Sequence, residues 1–166
     1  MTVATAATAA TASETLQLKH HLKASPEQVF AAWSQPEALN QWFGPHSHNC
    51  KVEKFEFKIG GQYQIRMIPT GEIDDPDCHG DTAQDSVCAG QFVEINEPNR
   101  IVMTFNWIEN GADMGETLLS VDITTSDSGS DLVLTHEKIP TEELREAHQA
   151  GWQGSLECLE EFFTAS

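Results

Sequence analysis

The stretch that most constrains this chain is its last, Pro140 to Phe163. Thr141 followed by Glu142 and Glu143 reads as a helix start, with a hydroxyl to cap free N–H groups and negative charge at the positive end of the dipole. Leu144, His148, Trp152, Leu156, Leu159 and Phe163 recur at spacings of three and four, which places them on one helix face. Glu142, Glu146, Gln149, Gln153, Glu157 and Glu160 fall largely elsewhere and predict the wet side. Gly151 and Gly154 interrupt the pattern, and a mid-helix glycine costs about 1 kcal/mol against alanine. On a buried face, glycine lets a strand or a ligand approach the backbone. A long amphipathic helix closing a chain otherwise written in strands predicts a helix laid across a sheet.

The strands lie upstream. Thr15–Leu22 reads as the first. Ser25-Pro26-Glu27 then starts a short helix with a capping hydroxyl and proline at the first helical position, carrying Val29, Phe30, Ala32 and Trp33. Gln35-Pro36 breaks it, and a second short helix from Glu37 holds Leu39, Trp42 and Phe43 before Gly44-Pro45. Lys51–Lys58 alternates, with Val52, Phe55, Phe57 and then Ile59 as its apolar set; Gly60-Gly61 is hairpin chemistry, and Gln62–Ile68 returns. Ala89–Ile95, Ile101–Trp107, Thr117–Thr125 and Leu132–Lys138 are four more strands, joined by turn residues. Nothing alternates as βαβ, so the expectation is an antiparallel meander. The fold class is α+β: a strongly curved seven-stranded antiparallel sheet around one long C-terminal helix, with two short helices between strands 1 and 2. Residues 1–13, rich in Ala and Thr, read as a mobile tail, and 14–166 as one domain.

Charge excludes some partners. Nine Lys plus Arg against 26 Asp plus Glu give a net charge of −17, the opposite of the basic footprint that nucleic acid or an anionic membrane surface requires. No apolar run reaches the roughly 18 residues of a membrane span. Cys50, Cys78, Cys88 and Cys158 lie far apart with no CxxC spacing, which predicts reduced thiols in a cytoplasmic protein, Cys158 serving as a small buried hydrophobe.

The residues in order resemble a known family. Ser25-Pro26-Glu27-Gln28-Val29-Phe30-Ala31-Ala32-Trp33 is followed by Pro36-Glu37-Ala38-Leu39-Asn40-Gln41-Trp42-Phe43-Gly44-Pro45. Then come Lys58-Ile59-Gly60-Gly61-Gln62-Tyr63, Gly90-Gln91-Phe92-Val93-Glu94-Ile95 and Pro98-Asn99-Arg100-Ile101-Val102, and finally Leu134-Thr135-His136 and His148-Gln149-Ala150-Gly151-Trp152. Over about residues 15–163 the chain resembles the helix-grip proteins of the Bet v 1-like, START-like (SRPBCC) superfamily. Within them it is similar to the branch named after the C-terminal domain of the activator of Hsp90 ATPase. The resemblance implies a cavity between sheet and helix, not one activity: relatives include ligand carriers, polyketide cyclases, lipid-transfer domains and co-chaperone domains. The co-chaperones carry a further domain ahead of this one, where this sequence has its Ala/Thr stretch, and Pro69–Asp85 is longer and more acidic than the usual link.

Strand parity turns Tyr63, Ile65 and Met67, then Ile101, Met103, Phe105 and Trp107, then Leu132, Leu134 and His136 inward, opposite Leu144, His148, Trp152 and Leu156 of the helix. An apolar, aromatic-lined space with few polar groups suits a small molecule. Tyr63, His136 and His148 interrupt the apolar faces, and two readings are open for them: orienting a ligand, or bonding each other and the backbone to tie helix to sheet. No third group orients the histidines for acid–base work, and no nucleophile elbow or phosphate loop occurs, so no catalytic residue is read. Glu72 to Asp81 holds Asp, His and Cys78 but no metal-ligand spacing, and reads as a solvated lid with no metal and no cofactor. Three functions are therefore expected, in this order. The first is binding of a small apolar or amphipathic molecule by a carrier or sensor, the second a protein–protein module of co-chaperone type, the third a cyclase- or hydrolase-type enzyme using the same cavity. A monomer or weak homodimer is expected.

Overall fold

The computed structural model describes residues 14–43, 48–69, 86–109 and 112–164. The expected tail (1–13), the helix end at Gly44-Pro45 and nearly all of the acidic loop, Cys78 included, lie outside them. Strand β1 (Glu14–Leu22) is followed by helices α1 (Pro26–Ser34) and α2 (Pro36–Trp42). Six strands then run in succession: β2 (His48–Phe55), β3 (Gln62–Pro69), β4 (Ser86–Asn96), β5 (Arg100–Glu109), β6 (Ala112–Ser126) and β7 (Gly129–Ile139). Helix α3 (Glu142–Thr164) closes the chain. All seven strands form one antiparallel sheet in the order β1-β7-β6-β5-β4-β3-β2. The meander leaves β1 and β2 at opposite edges, so α1 and α2 are what carry the chain from one edge to the other.

Local chemistry sets the helix ends. The Ser25 hydroxyl accepts from Gln28 N at 3.2 Å while the Gln28 side chain accepts from Ser25 N at 2.9 Å, a reciprocal cap with Pro26 behind it. Gln35 is extended before Pro36, as a pre-proline residue must be, and this separates α1 from α2. Trp42 Nε1 donates to Ala32 O at 2.9 Å, locking the two helices together. Thr141 Oγ1 accepts from Leu144 N at 3.1 Å and caps α3.

Alternation builds the core. On β7, Ser130, Leu132, Leu134 and His136 are buried, with half-buried residues between them. Leu22, Ile101, Leu119, Ile123, Ile139, Leu156 and Leu159 complete an interior whose members each contribute roughly 1.5–3 kcal/mol by burial. Gly90 stands opposite Tyr63 across β3–β4, and a Cβ there would collide with Thr104 O. Only glycine leaves β4 close enough to β5 at that point.

Four expectations need correction. Leu144 is 44% exposed, because α3 buries only Trp152, Ser155, Leu156 and Leu159 and its first turns reach past the packing surface. Ile59 is 66% exposed, because β2 ends at Phe55 and the alternation does not continue into the turn at Gly60. Cys158 is half-buried on α3 rather than enclosed. Gly151 admits no close neighbour, since a Cβ there would meet nothing within 4 Å.

Candidate functional site

The inner face of β5, β6 and β7 meets the middle of α3 in a continuous set of rings. Phe105 stands edge-on to Trp107 (5.3 Å between centroids) and to His136 (5.1 Å). His136 stands edge-on to His148 of α3 at 4.9 Å, and Trp152 lies 5.8 Å from Phe105. Beyond Trp152 the set continues through Phe43 at 5.7 Å and Trp33 at 6.2 Å, and Trp33 meets Trp42 at 4.8 Å. Strand alternation supplies Phe105, Trp107 and His136; helical spacing supplies His148 and Trp152.

Hydrogen bonds fix the two histidines. Trp152 Nε1 donates to His136 Nδ1 at 3.1 Å. The Thr117 hydroxyl donates to Phe105 O at 2.5 Å, so the proton between His136 Nε2 and Thr117 Oγ1, 2.7 Å apart, belongs to the histidine. His136 is thus neutral, protonated on Nε2, with both nitrogens occupied. Burial, reinforced by the nearby His148, holds its pKa down to about 3. Trp107 Nε1 donates to His148 Nε2 at 2.8 Å, and His148 Nδ1 donates to Leu144 O at 2.7 Å. Both imidazoles therefore lack a free nitrogen with which to take a proton from a substrate.

Tyr63 stands elsewhere. Its hydroxyl donates to Thr104 O at 2.6 Å, and its ring packs on Phe92 at 5.4 Å within a second aromatic group, Phe30, Phe55, Phe57 and Phe92. Of the three polar residues expected to share one space, the fold brings His136 and His148 together and sets Tyr63 in other company. Ile65, Met67, Met103, Leu134 and Leu156 are buried as parity requires, and Trp107 is half-buried. Thr117, the residue that fixes the His136 tautomer, was not anticipated. Its parity with buried Leu119, Val121 and Ile123 on β6 is the signal that reveals it.

Among the residues whose side-chain burial the structure describes, no Asp, Glu, Lys or Arg is buried. Burial raises the Cys50 thiol to about 12 and raises Cys88 further, so both are neutral. Among the described residues, no group of three or more His, Cys, Asp and Glu converges to hold a metal ion, and no helix is long and apolar enough to cross a membrane. Trp33 Nε1, fully buried, has no acceptor within reach among the described residues.

Family comparison agrees with this architecture. The model of the activator of Hsp90 ATPase homolog 1-like proteins matches residues 23–164. The chain belongs to that family. A Chromobacterium violaceum protein of known structure is 27% identical, with 88% of this chain and 94% of that one covered and a TM-score of 0.75. The AHSA1 protein of Silicibacter pomeroyi is 21% identical over 92% and 99% of the two chains, with a TM-score of 0.76. A Rhizobium leguminosarum protein is 23% identical over 92% and 95%, with a TM-score of 0.71. Among curated proteins no match was found. The helix-grip fold is shared with these proteins, and membership of the family suggests ligand binding or a co-chaperone-like role without specifying either.

Proposed function

We propose that this family member binds a small apolar molecule between the sheet and α3, acting as a carrier or sensor. The observation that carries this reading is the uncharged aromatic wall beneath α3. Ile65, Met67, Met103, Phe105, Trp107 and Leu134 supply its strand side; His148, Trp152 and Leu156 supply its helix side. His136 and His148 belong to it with both ring nitrogens bonded, Tyr63 lies apart in the phenyl group, and none of the three serves as an acid or base. Such a wall favours a ligand by apolar burial and ring contact and offers nothing to a charged one. Native mass spectrometry of freshly purified protein, set against the denatured sample, tests the reading. A mass excess that vanishes on denaturation is expected. An apo mass from several expression hosts, with no rise in Tm on adding apolar compounds, overturns it.

A protein partner such as the Hsp90 ATPase of the family name is the second reading, and one observation favours it. Ile59, 66% exposed, and Val93, 50% exposed, lie beside each other where Gly60 N donates to Phe92 O at 2.8 Å. Ile59→Asp should abolish capture of such a partner and leave any small-molecule mass excess untouched.

A further inference from the structure

The sheet face turned away from the core carries a histidine bonded on different terms from His136 and His148. Leu22 and Ser130 are buried and stand opposite each other on β1 and β7, so their neighbours His21 and Asp131, also opposite each other, point outward. The turn Asp127-Ser128 joins β6 to β7, with Ser126 paired to Gly129 across it. Two contacts press this hairpin onto the end of β1. Gly129 lies so close to Leu22 O that a Cβ would collide with it, and the buried Ser130 hydroxyl donates to Ala24 O at 2.6 Å. The turn is thereby held over His21.

His21 Nδ1 lies 3.0 Å from Asp131 Oδ1, and His21 Nε2 lies 3.0 Å from Ser128 Oγ. A carboxylate only accepts, so the proton of the neutral ring sits on Nδ1, and Nε2 accepts from the Ser128 hydroxyl. Ser126 Oγ, 3.4 Å from Nδ1, shares that proton at longer range. Hydroxyl, imidazole and carboxylate form one chain in the order that an activated serine requires. The N–H groups of Asp127 and Ser128 bond no other described group, which leaves two donors at the turn for a developing oxyanion.

The geometry points to a second site, apart from the wall beneath α3, at which Ser128 accepts an acyl group from a small ester. Ser128 Oγ attacks the carbonyl carbon while its proton passes to His21 Nε2; the C–O bond to the alcohol then breaks, and the leaving oxygen takes that proton. Water releases the acid by the same route, giving its proton to His21 and restoring the Ser128 hydroxyl. Asp131 positions the imidazole. His21 is 40% and Asp131 31% exposed, so a carbonyl has access, but nothing encloses the alcohol portion. Reactivity must therefore come from the leaving group, which selects aryl esters. Asp127 and Asp131 beside the serine disfavour an anionic acyl group.

Incubation with p-nitrophenyl acetate, followed by intact-mass measurement and peptide mapping, tests the site. One acetyl group on Ser128, formed as p-nitrophenolate is released, is expected, and Ser128→Ala should lose it. His21→Gln should slow acylation about 100-fold, and Asp131→Asn, which no longer favours the proton on Nδ1, about 10-fold. None of the three side chains is buried, so each variant should keep the wild-type Tm. Acetylation confined to lysines, or a Ser128 adduct that forms equally fast in His21→Gln, overturns the proposal.

Discussion

The interior holds two aromatic groups built on different terms. At the β2–β4 end, Phe55 and Phe57 stack with their rings 1° from parallel, and Phe92 stands edge-on to both, at 5.5 and 5.0 Å. Phe30 brings α1 onto this group, whose single polar atom, Tyr63 Oη, is bonded to Thr104 O. Beneath α3 nearly every ring carries a nitrogen, and the Trp152–His136–Thr117 and Trp107–His148 bonds dictate how each ring turns. Phenyl rings fill space and tolerate repacking, whereas indoles and imidazoles joined by hydrogen bonds hold one arrangement. Cohesion is the business of the first group, and a wall of defined chemistry is what the second presents.

The largest effect should come from breaking the phenyl group. Phe92→Ala removes a ring 2% exposed and should lower stability by about 3–5 kcal/mol in urea unfolding, with ligand binding intact in the protein that remains folded. His136→Phe should cost less, about 2–4 kcal/mol, by leaving Trp152 Nε1 and the Thr117 hydroxyl without their partner while filling the same space. A loss no larger than that of a conservative core substitution would show that the network under α3 is packing alone.

A pH-dependent effect separates the groups further. His136 takes up its proton near 6.5 in the unfolded chain and only near 3 in the folded one. Above 6.5 both states are neutral and nothing is lost. Below it the unfolded state binds the proton first, so stability falls as pH drops from 6.5 towards 3, by up to about 1.4 kcal/mol per unit. His136→Gln lacks this component, and its unfolding midpoint should fall less steeply across that window; equal slopes would refute the neutral assignment. Smallest is Tyr63→Phe, which forfeits one hydrogen bond at 2.6 Å: about 1 kcal/mol in stability and no change in ligand affinity. A change in affinity would move the ligand towards the phenyl end.

Much of this was legible in the sequence. Seven strands, their inward faces and the cap at Thr141 follow from period-two alternation, turn residues and one hydroxyl, all of them local signals. What was not legible is relational. Leu144 has the right spacing to be core, but whether the sheet extends beneath it depends on where α3 crosses β1. Ile59 keeps strand parity on paper, yet the turn at Gly60 ends the strand before parity matters. Tyr63 and His136 look alike as polar interruptions of apolar strands, and only the register of β3 on β4 and of β6 on β7 assigns them to different neighbourhoods. The bond from Trp152 to His136 and the isolation of Trp33 depend on ring orientation, which no periodicity encodes.

The central claim, that the wall beneath α3 receives the ligand and the phenyl group does not, is tested most directly on the four indole N–H signals in a nitrogen–proton NMR spectrum. Without ligand, Trp42, Trp107 and Trp152 should resonate downfield as hydrogen-bonded donors and Trp33 should not. Titration with an apolar compound that raises Tm should shift the Trp107 and Trp152 signals and leave the ring protons of Phe55 and Phe57 in place. A spectrum in which the Phe55 and Phe57 signals move while those of Trp107 and Trp152 stay fixed would contradict the account.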